Sequence, residues 1–573
     1  MDMEHKMPRI FLPKAKHALL LGIAAAAAPL PAYAQMLETE WEPMDSEAAP
    51  VQSDEAAPKR VSAERQRLEI TPYIEAQQVL LTDLDDGDDV LTYSTIAVGV
   101  EASVSERNAQ AQVNVRYERL IGYDSNVRDQ DIVSGLARGT ARLGRNVSIE
   151  AGGYASRSKI DNRGVTPGTL LGQTDNVSQV YSIYTGPTFS AQIDDLTVAA
   201  AYRMGYTKAE DGNVGPLAPG QIAGPAFDDS VSYSANATFG MQPGRLPFGW
   251  AVGGGWARED ASHLDQRFDD RYLRADVTVP VSPTLAVVGG VGYEDVEISE
   301  RDALRDSAGN PITTASGRYI TDPNSPRLTA YESDGLIWDA GVLWRPSRRT
   351  SLEARYGHRY GSDTYYGSFS YAPSERMGVN VSVYDTVSGF GTSLNRTLAS
   401  LPGQFTTIRN PLSGDLGGCA FGQAGATCFN NGLGSLRPAP FRTRGITASM
   451  VSNSGGWSTG LAAGYNRQKF LTSAFGALPE LSGLVDENYF IVGTLGRELD
   501  RRSRFETNVY GNYIDPGFSL APDIYNIGAN AAYYRQIWRG LTAGAAVGID
   551  SVKQEEFDGE VSASALLGMR YSF

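Results

Sequence analysis

From Leu68 to the last residue the chain alternates apolar and polar positions in segments of about ten residues, the period of a strand with one face in water and one in lipid. Ile96, Val98, Val100, Ala102 and Val104 share one face, opposite Ala97, Gly99, Glu101 and Ser103. A tight turn at Glu106-Arg107-Asn108 leads into Ala111, Val113, Val115 and Tyr117, which oppose Gln112, Asn114, Arg116 and Glu118. The same pattern sets Val198 to Tyr206 against Arg203, Leu273 to Val279 against Arg274 and Asp276, and Leu352 to Tyr360 against Glu353, Arg355 and Arg359. Such segments predict about 22 strands. The connections predict a direction: short turns at Gly144-Arg145-Asn146, Asp194-Asp195, Ser282-Pro283-Thr284, Pro346 to Arg349, Asp500 to Ser503 and Arg539-Gly540 alternate with long ones. The long connections are 158–177, 208–228, 299–334, 388–440, 471–486 and 515–523. The expected fold is all-β: a single antiparallel transmembrane β-barrel with short periplasmic turns, long outer loops and no plug domain.

The last strand sharpens this reading. Val561, Ala563, Ala565, Leu567, Met569, Tyr571 and the terminal Phe573 fall on one face, and Ser562, Ser564, Gly568, Arg570 and Ser572 on the other. An apolar final strand left as a free edge would invite aggregation. It resembles the C-terminal signature of outer-membrane barrels, which implies that Leu567, Met569, Tyr571 and Phe573 are the assembly signal read by the barrel-assembly machinery.

The first residues predict the compartment. Lys6, Arg9, Lys14 and Lys16 precede an apolar run from Ala18 to Leu30, and Ala32-Tyr33-Ala34 offers a small-residue cleavage site. Residues 1–34 are therefore expected to be a signal peptide, 35–66 a disordered periplasmic segment rich in Glu, Asp, Ala and Pro, and 67–573 the barrel. The expected location is the outer membrane, reached through the periplasm, with membrane lipid and lipopolysaccharide as neighbours. The residue after the cut is Gln35, so no thiol is offered for lipidation. A transporter with a folded N-terminal plug would share the strand number but needs far more chain than residues 35–66 provide; energy-coupled transport is not expected.

Composition changes the picture in three places. The 62 Gly and 29 Tyr suit tight strand packing, turns and interfacial girdles. A net charge of -16 argues against nucleic acid, because phosphate binding needs clustered Lys and Arg. Asp83, Asp85, Asp86, Asp88 and Asp89 read as a solvated acidic loop, since their spacing does not match an EF-hand.

The two cysteines, Cys419 and Cys428, lie in the longest Gly-rich loop of an exported chain and are expected to form a disulfide. No metal or cofactor site is expected. His263 reads as a surface polar residue and His358 as part of the outer girdle. No nucleophile or carboxylate set for catalysis is recognisable, so no enzyme and no catalytic residue is assigned. Candidate function rests on the water-facing residues. Glu101, Arg116, Glu118, Arg203, Arg274 and Asp276, continued by Asp339, Glu353, Arg355, Arg359, Glu506 and Arg570, are too charged for hydrocarbon and must line a polar interior. Glu101 is expected to pair with Arg116, and Asp339 with Arg355. Two functions fit: a porin-like channel for polar solutes or a glycan-export accessory barrel, and a closed barrel that acts through its outer loops.

The strand pair from Leu336 to Tyr360, LIWDAGVLWRPSRRTSLEARYGHRY, together with Tyr571-Ser572-Phe573, resembles β-barrel porins found alongside exopolysaccharide systems in proteobacteria. The resemblance is carried from about residue 250 onward and implies an outer-membrane location and a part in polysaccharide traffic, with no site to carry over. The segments YEDVEISERDALRD and NPLSGDLGGC are also similar to exported proteins labelled as a Sec translocase accessory subunit. That role implies a hydrophobic anchor helix, which the residues here supply only in the removable leader.

Overall fold

The computed structural model describes residues 67–84, 90–123, 127, 129–159, 177–210, 227–314, 318–422, 425–429, 436–437, 439–518, 521–555 and 559–573. The expected leader, the periplasmic segment, Asp85, Asp86, Asp88, Asp89 and most of loops 158–177 and 208–228 lie outside the described residues.

The first strands in chain order are β1 (Arg67–Asp83), β2 (Val90–Ser105), β3 (Ala109–Gly122), β4 (Gln130–Arg142), β5 (Val147–Lys159), β6 (Val177–Ile193), β7 (Leu196–Ala209) and β8 (Asp229–Met241). They continue with β9 (Gly249–Ala261), β10 (Gln266–Ser282), β11 (Leu285–Glu300), β12 (Leu328–Ser347), β13 (Thr350–Arg359), β14 (Ser362–Ser374) and β15 (Met377–Ser388). A helix, α1 (Phe390–Ala399), and three short strands, β16 (Phe405–Arg409), β17 (Leu416–Gly422) and β18 (Gly425–Cys428), interrupt the series. It resumes with β19 (Phe441–Ser454), β20 (Trp457–Phe470), β21 (Val485–Asp500), β22 (Ser503–Asp515), β23 (Ile524–Trp538), β24 (Leu541–Gln554) and β25 (Glu560–Ser572).

Strands β1 to β15 and β19 to β25 form one 22-stranded antiparallel sheet, and β16 to β18 a separate 3-stranded one. The large sheet closes where β25 pairs with β1: Tyr571 lies opposite Ile74, Met569 opposite Ala76, and the Phe573 N–H donates to the Pro72 carbonyl at 3.0 Å. Closure leaves no free edge. The alternation sets the faces as expected. Ile96, Val98, Tyr202, Met204, Leu273, Leu567, Met569 and Phe573 are exposed on the outside, while Ala97, Arg116, Glu118 and Arg274 are buried inside. An apolar outer belt on a closed barrel of this height is stable only against lipid, and the protein is an outer-membrane barrel.

Many glycines serve the inner face. Tyr73 lies opposite Gly99, Tyr184 opposite Gly152 and Tyr510 opposite Gly528. At each glycine an added Cβ would come within 2.4 Å of the tyrosine ring. The rings therefore lie flat on the neighbouring strand, and part of the Gly and Tyr content belongs to the lumen as well as to turns and girdles.

Three expectations are corrected. The outer connection between β13 and β14 is the tight turn Tyr360-Gly361, with φ of 54° and 67°, so the outer connections are not uniformly long. His263 is 4% exposed, not a surface residue. It sits in the short turn between β9 and β10, beneath Tyr319 at 6.1 Å between ring centroids. Burial first, and the Arg318 charge second, push its imidazole down to about 3. Most consequential, the barrel is not without a plug: a folded segment between β15 and β19 lies inside the lumen. The physical reason is width, since a 22-stranded barrel encloses more space than its own side chains fill.

Candidate functional site: the lumen and its internal segment

The internal segment runs from Gly389 to Pro440, and its first element explains its seat. Helix α1 spaces Phe390, Leu394 and Leu398 on one face, which packs with Leu136, Tyr154, Val180 and Tyr184 of β4 to β6. Its N-terminus carries no side-chain cap of its own. Instead the Gly391 and Thr392 N–H groups donate to the Glu259 carboxylate of β9 at 2.9 and 2.7 Å. A carboxylate on a helix N-terminus meets both the unpaired donors and the positive end of the dipole. Asn395 fixes the rotation, its amide donating to Ser232 and accepting from Ser182, each at 2.9 Å.

Beyond the helix the chain descends the same wall. The Phe405 N–H donates to Gln112 at 2.9 Å, and Arg409 donates to Asn114 at 2.9 Å and also to Ser134. Arg157 grips Asp415 with two parallel bonds of 2.9 and 2.6 Å. Cys419 and Cys428 face each other across β17 and β18 and form the expected disulfide, S–S 2.09 Å. On the other side Ile408, Phe421 and the disulfide pack with Val451, Ala462, Phe490 and Val492 of β19 to β21.

The residues predicted to line the interior fall into three groups by their ion pairs. In the first, Arg116 lies between Glu75 and Glu118, the latter at 2.8 Å, and Glu101 pairs with Arg570 at 2.9 Å. The expected Glu101–Arg116 pair is thus replaced by one across the closing seam, and the Arg570 guanidinium stacks 3.6 Å over Tyr73. The second group is a dense network on β10 to β14. Arg274 meets Asp339 at 2.7 Å, and Arg355 meets Asp276 and Asp339 at 3.1 Å and Glu353 at 2.7 Å. Here the expected Asp339–Arg355 pair is present. Arg359 pairs with Glu294 at 2.8 Å. The third group is scattered: Arg203 with Glu150 on β5 and β7, and Glu506 with Arg504 at 3.4 Å near the periplasmic rim.

Residues that hold the internal segment, Arg157, Glu259, Arg409 and Asp415, were not singled out from the sequence. The i, i+4 spacing of Phe390, Leu394 and Leu398 was the available signal. His358 stands half-exposed on the outer face near the outer rim, 3.7 Å from Asp363. Among the described residues, no cluster of three or more His, Cys, Asp or Glu is placed to hold a metal.

Below the internal segment, a cavity of about 900 Å³ occupies the periplasmic end of the lumen. Its lining mixes Arg116, Arg409, Arg504 and Arg570 with Glu75, Glu101 and Glu506. At the opposite end, loop residues Leu264, Ala303, Leu478 and Leu481 pack together over the mouth with Phe441 and Phe470. Arg318 ties this cap to Asp228 at 2.8 Å.

No family model and no curated protein matches the chain. Among solved structures it is similar to the ferric-catecholate import receptor Fiu from E. coli K12, at 11% identity and TM-score 0.41 over 87% of this chain and 81% of that one. It is likewise similar to the FrpB iron transporter from Neisseria meningitidis, at 10% identity and TM-score 0.42 over 88% and 81%. The copper transporter OprC is similar at 12% identity and TM-score 0.38, over 88% and 83%.

Proposed function

We propose that the protein is an outer-membrane passage for polar solutes, glycans among them, whose lumen is held shut by the internal segment and opens when that segment shifts. The observation that carries the reading is the polar, mixed-charge interior leading from the cavity of about 900 Å³ to the underside of the segment. A barrel built only as a scaffold has no need of a wide interior closed by a separate folded piece. Charges of both signs along the wall suit weak ion selectivity, since a charge lining a pore sets the local ion population. The rival reading, a closed barrel that acts through its loops, draws on the buried Arg274–Asp339–Arg355 network and the packed outer cap.

Efflux from sealed vesicles separates the two. Vesicles holding the purified chain should release small polar solutes slowly, and vesicles holding a variant with residues 389–440 replaced by a short linker should release them quickly. Equal retention by both, with the variant shown to be a folded barrel, would favour the closed reading.

A further inference from the structure

The inner wall is chemically divided. Most of the ion pairs described above lie on β1 to β13, whereas the middle of β20 to β23 presents six asparagines to the lumen: Asn466, Asn488, Asn508, Asn512, Asn526 and Asn530. The register sets them side by side, Asn466 opposite Asn488, Asn512 opposite Asn526, and Asn508 opposite Asn530. Two rings lie among these amides. Phe490 is opposite Asn512 and flat on Gly464, and Tyr510 is flat on Gly528. The lowest pair, Asn508 and Asn530, sits one inward position above Glu506, which lines the periplasmic cavity. The rows therefore climb from that cavity towards the outer mouth.

Resting on the reading of the barrel as a passage, we propose that this wall is the solute track, and that it takes uncharged polyhydroxylated solutes of the sugar type. Each amide offers both a donor and an acceptor, as a sugar hydroxyl does, and aromatic faces suit the apolar faces of a sugar ring. A second observation points to a ligand. The Asn488 and Asn526 side-chain oxygens and the Tyr510 hydroxyl are buried with no hydrogen-bond partner. Buried polar groups are normally satisfied, so each orphan is short of a partner. Tyr510 lies where Ile408, Phe421 and the disulfide of the internal segment pack on this wall, and nearer the outer end of β21 the segment's Arg437 pairs with Asp486 at 3.3 Å. On the opposite wall the segment is tied by Arg157–Asp415 and by Glu259 at the start of α1. Displacement of the segment uncovers the amides of this wall, which are then free to bond a passing hydroxyl.

The test is the current through the full-length chain in a planar bilayer, with maltohexaose added on the periplasmic side and hexagalacturonate as the charged probe of equal length. Maltohexaose should interrupt the current in resolvable blocks and hexagalacturonate should not. Asn512→Leu with Asn526→Leu should shorten the blocks about tenfold, as expected for two lost hydrogen bonds. Asn512→Gln, which keeps the amide, should retain them, and heat-modifiable migration confirms that each variant is folded. A conducting barrel whose blocks are absent, are equal for the two probes, or are indifferent to the Leu variants overturns the track and leaves the passage standing. A barrel that conducts no ions overturns both.

Discussion

Changing Arg157 to Ala removes the guanidinium that holds Asp415 by two bonds of 2.9 and 2.6 Å. Both side chains are nearly enclosed, 7% and 11% exposed, so solvent does little to replace the lost partner. A buried ion pair broken on one side costs about 3 kcal/mol at the lower end of its usual range. That cost falls on the seated state of the internal segment, because Asp415 regains water when the segment shifts. About 1.4 kcal/mol is a factor of ten, so the open fraction should rise about a hundredfold. The assay is the frequency of spontaneous openings of single barrels in a planar bilayer, compared with wild type. Adding Asp415→Ala removes the orphaned charge and should return the frequency part of the way. An opening frequency unchanged in Arg157→Ala would refute the argument that this pair holds the segment down.

Other consequences are reached more simply. Deleting Phe573, or replacing it and Tyr571 with Ser, removes the exposed apolar end of the closing strand and should leave degraded or periplasmic protein, read as loss of heat-modifiable barrel from outer membranes. His263 is held neutral in the closed cap, whereas an opened cap titrates near the ordinary value of about 6.5. Cap stability should thus be intact above that pH and lost as pH falls towards about 3, by about 2 kcal/mol at pH 5. Loop proteolysis across that range measures it, and His263→Leu should flatten the profile. Gly152→Ala would place a methyl 2.3 Å from the Tyr184 ring, which lies against the helix. It should destabilise the barrel by about 1 to 3 kcal/mol in denaturant-induced unfolding.

The alternation was enough to read the barrel because lipid and water face every strand along its whole length, and each strand repeats the same test. The strand count, the periplasmic turns and the terminal signature all follow from it. What it could not supply was any pairing set by closure. Arg570 meets Glu101 across 469 residues only because β25 lies beside β1 and both sit near the first two strands' lower ends. The Gly-rich text of the internal segment has no strand period, so in sequence it looks like an outer loop. Nothing local marks Glu259, far back in the chain, as the residue that receives the start of α1. The burial of His263 is hidden for a similar reason: its neighbours in sequence are polar, but its neighbours in space, Leu264 apart, come from elsewhere in the chain. The disulfide was legible because two thiols and an oxidising compartment left few alternatives.

The central claim is that a folded internal segment closes a wide polar lumen. Single-channel conductance of the purified barrel, measured with residues 389–440 intact and with them replaced by a short linker, tests it most directly. The account predicts a small, intermittent conductance for the intact chain and a large, steady, weakly selective one for the shortened barrel. A shortened barrel that is folded, inserted and silent would contradict it.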